Sequence, residues 1–557
     1  MPTGRDVLRD SISGQRRLIG GAAVLGSVHQ GGEALVPVLV GVVIDQAVST
    51  GSAGALVHWL VVLAAVFAAL SLSYRFAARA GERASEQAAQ ALRLRLTQRV
   101  LDPRGGAEAG RLPGALVNIA TGDAKRVGVV NLALPFAVAA LTGLLVSALL
   151  LLRISVPLGL LVLLGTPPLL WLTHLIGRPL ERRSSVEQER AAHASGVAAD
   201  LVSGLRVLKG IGAEAAAVAR YRRTSRESLA ATLRAARAHA GHDGAILALT
   251  GIFIAVVALV GAQLAAADSI TVGELVAAVG LAQFLLGPFQ IFAWINSQLA
   301  QGRASAERVA SVLSAPPAVG AGTRAVPERI SGRVRLRGLT HGSLRGVDLD
   351  IAPGELLGVV AADPACAAQL LDCLAREADP AAGALELDGV PFTELPPHEL
   401  RGAVLVAAHD ADLFEGSLLD NVVTGSLDVD RAMAAAAADE VAQALPRGVH
   451  TAVAERGRSL SGGQRQRVAL ARALAADPPV LVVHDPTTAV DAVTEARIAT
   501  ELREIRRGRT TVLVTTSPAL LAATDRVVVL DSGTITAEGT HAELVHADPR
   551  YRSVVLS

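Results

Sequence analysis

Five stretches of this chain, Gln46–Tyr74, Val127–Leu152, Ile154–Gly177, Gly244–Ala267 and Leu275–Gly302, contain no Asp, Glu, Lys or Arg, and a sixth, Leu18–Ile44, is interrupted only by Glu33. A bilayer core about 30 Å thick is crossed by roughly 20 apolar residues in an α-helix, so each run is long enough to span it. The pattern predicts six transmembrane helices, with both ends of that domain on the same side of the membrane. Whole-chain composition agrees: of 557 residues, 51% are hydrophobic and 18% charged, and the mean hydropathy is +0.43. Aromatics make up only 3%, and 52 basic residues nearly cancel 51 acidic ones. That balance argues against a base-stacking platform or a basic nucleic-acid face.

Charge sets the orientation. The links between the first and second runs and between the fifth and sixth hold no Lys or Arg, and the third and fourth are separated only by Arg153. Residues 75–126 and 178–237 are rich in arginine, which places both segments, and both termini, in the cytoplasm of a cell with this protein in its inner membrane. These segments are also rich in Ala, Leu and Glu. They are expected as helices running on past the membrane, with disordered basic loops as the alternative, because Gly and Pro are sparse outside 102–114. The polar residues 1–15 lead into a long apolar run without a small-residue cleavage pattern, which reads as a retained first span and not a signal peptide. Within that span His29 and Glu33 stand at i, i+4 on one face. An intramembrane carboxylate usually faces a pathway, so the pair is a candidate for substrate or proton handling; a helix–helix hydrogen bond or a position at the headgroups is the alternative.

After Gly302 the chain changes character. Residues 311–330 form a Pro/Ala/Gly-rich linker between a membrane domain over 1–310 and a cytoplasmic domain over 331–557. There Val334–Leu339, Val347–Ile351, Leu356–Val360, Val480–Val483 and Thr511–Thr515 read as strands among helices, a parallel α/β pattern. The two cysteines, Cys366 and Cys373, lie seven apart on one expected helix; the spacing suits buried, reduced thiols and no metal site.

The most specific motif is Leu460-Ser461-Gly462-Gly463-Gln464, followed by Arg465-Gln466-Arg467-Val468-Ala469-Leu470-Ala471-Arg472-Ala473-Leu474. A serine and two glycines at a helix N-terminus present backbone N–H groups and a hydroxyl to an anion. The run resembles the signature sequence of ATP-binding cassette (ABC) proteins. The likeness continues through Gly354-Glu355, Asp412 to Ser417, Asn421-Val422, Glu455-Arg456-Gly457, Pro486 to Asp491, Leu530 to Gly533 and Glu538 to His541. In the membrane half, Thr121-Gly122-Asp123 with Arg126 and Val207 through Glu214 resemble the two coupling-helix regions of ABC exporters, and Ala304 to Arg308 the exit from the sixth helix. The resemblance implies an exporter-type half-transporter: six membrane helices fused to an α/β nucleotide-binding domain that uses ATP and Mg²⁺.

The chain departs from that family where ATP should bind. A phosphate loop uses glycine N–H groups, a lysine and a Ser/Thr hydroxyl on Mg²⁺. The aligned residues are Ala361-Ala362-Asp363-Pro364-Ala365-Cys366-Ala367-Ala368-Gln369, with Pro364 lacking an N–H, Ala367 in the lysine's place and Ala368 in the hydroxyl's. Lys125 and Lys209 are the only lysines and both precede this domain, so no other register supplies one. His484 stands where the family holds the Mg²⁺ carboxylate, Asp485 where it holds the catalytic Glu, His409 in place of the Q-loop glutamine and Ser517 in place of the switch histidine. The turn 340–343 lacks the usual base-stacking aromatic.

In the family each ATP lies between one cassette's phosphate loop and the other's signature motif. The resemblance therefore implies a heterodimer: a second half-transporter with an intact loop holds ATP and Mg²⁺, Leu460 to Gln464 complete that site, and Asp491 lines the dimer seam. This chain alone is expected to be an inactive ATPase. The cargo is unspecified (lipid, peptide, drug or similar), with export favoured; a siderophore importer of exporter fold and a nucleotide-sensing regulatory subunit are the alternatives.

Overall fold

Backbone groups in lipid find no water, so an apolar segment satisfies them internally as a helix. In the computed structural model, which describes residues 2–409, 412–423 and 428–556, six helices are long and apolar enough to cross a membrane. They are Arg16–Val43, Ala53–Val100, Ala124–Ile154, Val156–Ser203, Glu214–Ala266, and the pair Val272–Phe284 and Leu286–Leu313. The second and fourth have 48 residues each, about 72 Å at 1.5 Å per residue, far more than a bilayer core. The arginine-rich segments are thus continuations of the spanning helices. The second span starts later than the uncharged run from Gln46 suggests. Residues 44–52 form a π-helical turn and a tight corner with Gly51 at φ +66°. Asp45 fixes that corner by accepting hydrogen bonds from the Thr271 hydroxyl (2.5 Å) and the Gly273 N–H (2.8 Å).

The polar N-terminus is also helical, over Gly4–Gly14, with a Thr3/Asp6 capping box. It lies against Leu286–Leu313, where Gly4 meets the backbone of Glu307.

The chain divides into two compact units, Met1–Leu96 with Gly114–Ser314, and Thr97–Pro113 with Ala315–Ser557. The short irregular stretch after the second helix packs within the second unit. Arg99 donates to the Ala315 carbonyl (2.8 Å) and Arg401 to that of Pro103 (2.7 Å).

That second unit holds a six-stranded sheet in the spatial order Thr534–Gly539, Arg526–Asp531, Leu356–Ala361, Thr510–Val514, Val480–His484, Val404–Ala407. All neighbours are parallel except the first pair. Leu356–Val360 and Thr510–Val514 are buried along their length, as apolar runs covered on both faces must be. The first two expected strands, observed as Val334–His341 and Leu344–Ile351, instead pair antiparallel in a second sheet with Ala382–Leu387 and Val390–Pro391. Only Gly342 (φ +55°) and Ser343 connect them, a hairpin link; a parallel crossover needs a dozen or more residues.

Candidate nucleotide site

Two helix N-termini of the second unit carry the motif residues. The first follows the buried strand Leu356–Ala361 after a connection of only Ala362 and Asp363. Pro364 opens a helix that runs to Leu374, so positions 364–368, which resemble a phosphate loop by alignment, are helical. Composition explains this. Proline has the right φ for a first helical residue, where its missing N–H is no loss, and alanine is the best helix former. Glycines that would resist helix formation are absent from 361–369.

The N–H groups of this first turn are all committed to one residue. Asp363 accepts from Ala365 N at its carboxylate (2.9 Å), and its carbonyl accepts from Cys366 N (3.0 Å) and Ala367 N (3.4 Å). The positive end of the helix is thus met by the chain's own anion. Ala367 is 5% exposed and part of the hydrophobic core, whereas Ala368 faces outward. Cys366 and Cys373 are free and buried, and burial pushes the Cys373 thiol up to about 11. Ser343, in the turn without an aromatic, bonds the side chains of Gln369 (2.7 Å) and Cys366 (3.1 Å), and Gly342 leaves no room for a side chain beside Gln369. These residues do not fit Mg-ATP: the lysine, the hydroxyl and the free N–H cradle are replaced by an apolar core residue, a methyl group and a carboxylate cap.

The second N-terminus, Gly462–Ala475, is built differently. Leu460 anchors its approach in the core. Ser461 caps it through a reciprocal pair, Gln464 N to Ser461 Oγ (3.3 Å) and Ser461 N to Gln464 Oε1 (2.8 Å). Gly462 and Gly463 precede the first i→i−4 donor, Arg465 N, which bonds the Ser461 carbonyl (2.9 Å), and their own N–H groups have no intrahelical partner. Gly463 is required sterically as well, because a Cβ there would overlap the carbonyl oxygen of Ala489. Gln466 closes the same contact, donating to Thr488 Oγ1 (2.7 Å) and accepting from Ala489 N (2.9 Å). The signature turn and the segment leading to Asp491 are therefore one rigid piece. Asp491 is exposed and caps the helix Ala492–Ile505; hydrogen bonds from Thr494 hold its carboxyl below the usual carboxylate range.

At the end of the strand Val480–His484 the structure gathers three of the expected positions. The rings of His409 and His484 meet edge to face at 5.9 Å. His409 Nδ1 lies 3.1 Å from the Asp485 carbonyl, and His484 Nε2 lies 3.7 Å from the Asp485 carboxylate. Asp485 has φ +43°, so its backbone turns sharply at the strand's end. Ser517 is elsewhere occupied: its hydroxyl caps the next helix by accepting from Leu520 N (3.3 Å).

In the membrane unit His29 and Glu33 lie 3.7 Å apart, with His29 Nδ1 3.1 Å from the Leu70 carbonyl. Glu33 lines a cavity of about 750 Å³. Two segments noted separately in the sequence converge: Asp123, fully buried, accepts from Ser305 Oγ (2.9 Å) and from Arg308 (2.6 and 2.8 Å), with Arg126 at 3.2 Å. Neither this cluster nor the role of Gln466 was foreseeable from local spacing, since the partners lie 182 and 185 residues apart in the first case and 22 and 23 in the second.

Comparison with known proteins bears on both units. Residues 19–289 match the family model of the ABC transporter transmembrane region, and residues 344–488 that of the ABC transporter. The chain is 33% identical over 546 residues, 96% of its length, to a multidrug efflux ATP-binding/permease protein of Mycobacterium tuberculosis, and spans 45% of that relative. It is 32% identical over 407 residues to the ATP-dependent lipid A-core flippase of Thiobacillus denitrificans, covering 71% of this chain and 70% of that one. The solved structure of a bacterial Atm1-family ABC exporter with ATP bound shares the fold with a TM-score of 0.75 at 22% identity, over 97% of this chain and 98% of that one.

Proposed function

Since this chain belongs to the ABC transporter family as an exporter-type half-transporter, we propose that it is the non-hydrolysing subunit of a heterodimeric, ATP-driven exporter in the inner membrane. Its own phosphate loop is degenerate. Its signature turn, Leu460 to Gln464, completes the ATP site of a second half-transporter, which holds ATP and Mg²⁺ and supplies the catalytic carboxylate; Asp491 lines the seam between the two.

The observation that carries the reading is the capped helix at Pro364. The two first-turn donors, Ala365 N and Cys366 N, are used by Asp363 and Pro364 has none, and no lysine follows Lys209. Each charge-assisted contact contributes about 1.5–3 kcal/mol, so losing several weakens Mg-ATP by orders of magnitude. The signature turn keeps what the loop has lost, a neutral cap and two N–H groups without an intrahelical partner at the positive end of a 14-residue helix. The length of the mycobacterial relative, of which this chain spans 45%, leaves room for a second half. Export is favoured because the relatives are an efflux protein and a flippase.

Within the pair, closure of the two cassettes on ATP shifts the membrane helices between two arrangements. Asp123, tied to Ser305 and Arg308, joins the start of the third helix to the end of the sixth, so the two move as one body. The test is ATPase activity of this chain purified alone and of the chain co-expressed with an intact half-transporter. Hydrolysis only by the pair is expected; robust hydrolysis by the chain alone overturns the proposal.

A further inference from the structure

The cavity beside Glu33 has a distinct chemistry. Its volume, about 750 Å³, falls within the roughly 300–1,000 Å³ of sites for drug-sized ligands. Its wall is aromatic and acidic. Tyr74, Phe136 and Trp294 contribute rings, Glu33 and Glu82 contribute carboxylates, and among the described residues no Lys or Arg lines it. The arrangement follows from helical spacing: Tyr74, Ala78 and Glu82 recur every four residues and share one face of the second helix. The basic residues of that helix lie one step round. Arg75 borders an adjoining cavity with His29 and Glu33, and Arg79 and Arg83 line a neighbouring groove with Leu18 and Leu25 that Ala78 and Glu82 also border. Phe136 and Trp294 are locked edge to face at 5.9 Å. Gln30, on the same wall, holds its buried Oε1 without a hydrogen-bond partner among the described residues, an acceptor left available at the site.

An indole or phenol face attracts a cation, and more strongly where water is excluded. A carboxylate at membrane depth is costly unless it faces a cavity or a partner of opposite charge. We propose that this cavity takes a lipophilic organic cation, with Glu33 and Glu82 as its counter-ions and Tyr74 and Trp294 as the faces it stacks on. An amphiphile with an anionic head meets two carboxylates and no basic side chain there, so the same wall rejects it. The assignment rests on the chain being a transport subunit, and it names the class of cargo that subunit engages.

The probes are tetraphenylphosphonium and tetraphenylborate, which share size and shape and differ in the sign of their charge. Equilibrium dialysis against the full-length chain in nanodiscs of zwitterionic lipid, with empty nanodiscs subtracted, reads both affinities. The cation is expected to bind at least about tenfold more tightly than the anion, and the Glu33→Gln, Glu82→Gln double variant to bring the two within about threefold. Equal binding or a preference for the anion by the unmodified chain overturns the proposal without any variant; a preference that survives the double substitution also overturns it. Dialysis uses neither ATP nor a partner, so its failure is distinct from that of the heterodimer reading, which fails on hydrolysis by the chain alone.

Discussion

Pro364–Leu374 and Gly462–Ala475 both begin with a side-chain oxygen at the cap, and they diverge in the two residues that follow it. After Asp363 come Pro364 and Ala365; after Ser461 come Gly462 and Gly463. In the first the cap is an anion, and the turn's N–H groups are absent or spent on it. In the second the cap is neutral, and the glycines keep the turn open while Gly463 lets it sit against Ala489. The lesson is that a helix N-terminus becomes an anion site only when its own cap leaves the positive end unneutralised. One chain carries both kinds of turn, the contrast on which the proposed heterodimer rests.

The largest expected effect comes from closing the open turn. Gly463→Val drives a side chain into the Ala489 carbonyl and displaces the N–H groups that the proposal turns toward the partner's nucleotide, so ATPase activity of the co-expressed pair should fall about 100-fold or more; a residual rate above a tenth would break the contrast. Next is the closed turn. Ala367→Lys restores the missing charge by name, yet position 367 is 5% exposed in an apolar core, so the full chain should lose about 2 kcal/mol or more in thermal unfolding without gaining nucleotide binding.

A third substitution leaves both turns alone. Asp123→Ala strands the half-exposed Arg308 and should cost about 1–3 kcal/mol, while lowering transport by the pair more than its ATP binding, if that cluster ties the third helix to the sixth. The smallest effects sharpen the comparison best. Asp363→Ala and Ser461→Ala each remove one cap and should each cost about 1 kcal/mol of stability. Only the second should also slow turnover by the pair, and equal kinetic effects would erase the distinction between the two turns.

Much of this was legible in the sequence because it is local. Hydropathy runs mark the six spans, and arginine counts give their orientation. The serine and glycines of 461–463 mark a helix N-terminus, observed at Gly462, and the absence of any lysine after Lys209 is read directly from the chain. What the sequence hid depends on neighbours. Strand direction for Val334–His341 came from the two-residue link at 342–343 and not from the apolar pattern, which is the same for either pairing. The corner at 44–52 depends on Asp45 meeting Thr271 and Gly273, more than two hundred residues away. Asp363 is only an acidic residue in the sequence; the backbone geometry makes it the cap of the helix that follows. Gln466 lay inside the motif, but its bonds to Thr488 and Ala489 need the fold to bring them together.

The central claim, that this chain does not hold ATP and serves a site held by another, is tested most directly by equilibrium binding of Mg-ATP to the full-length chain purified alone. No saturable binding up to about 1 mM is the expected result; a saturable site with micromolar affinity would contradict the account.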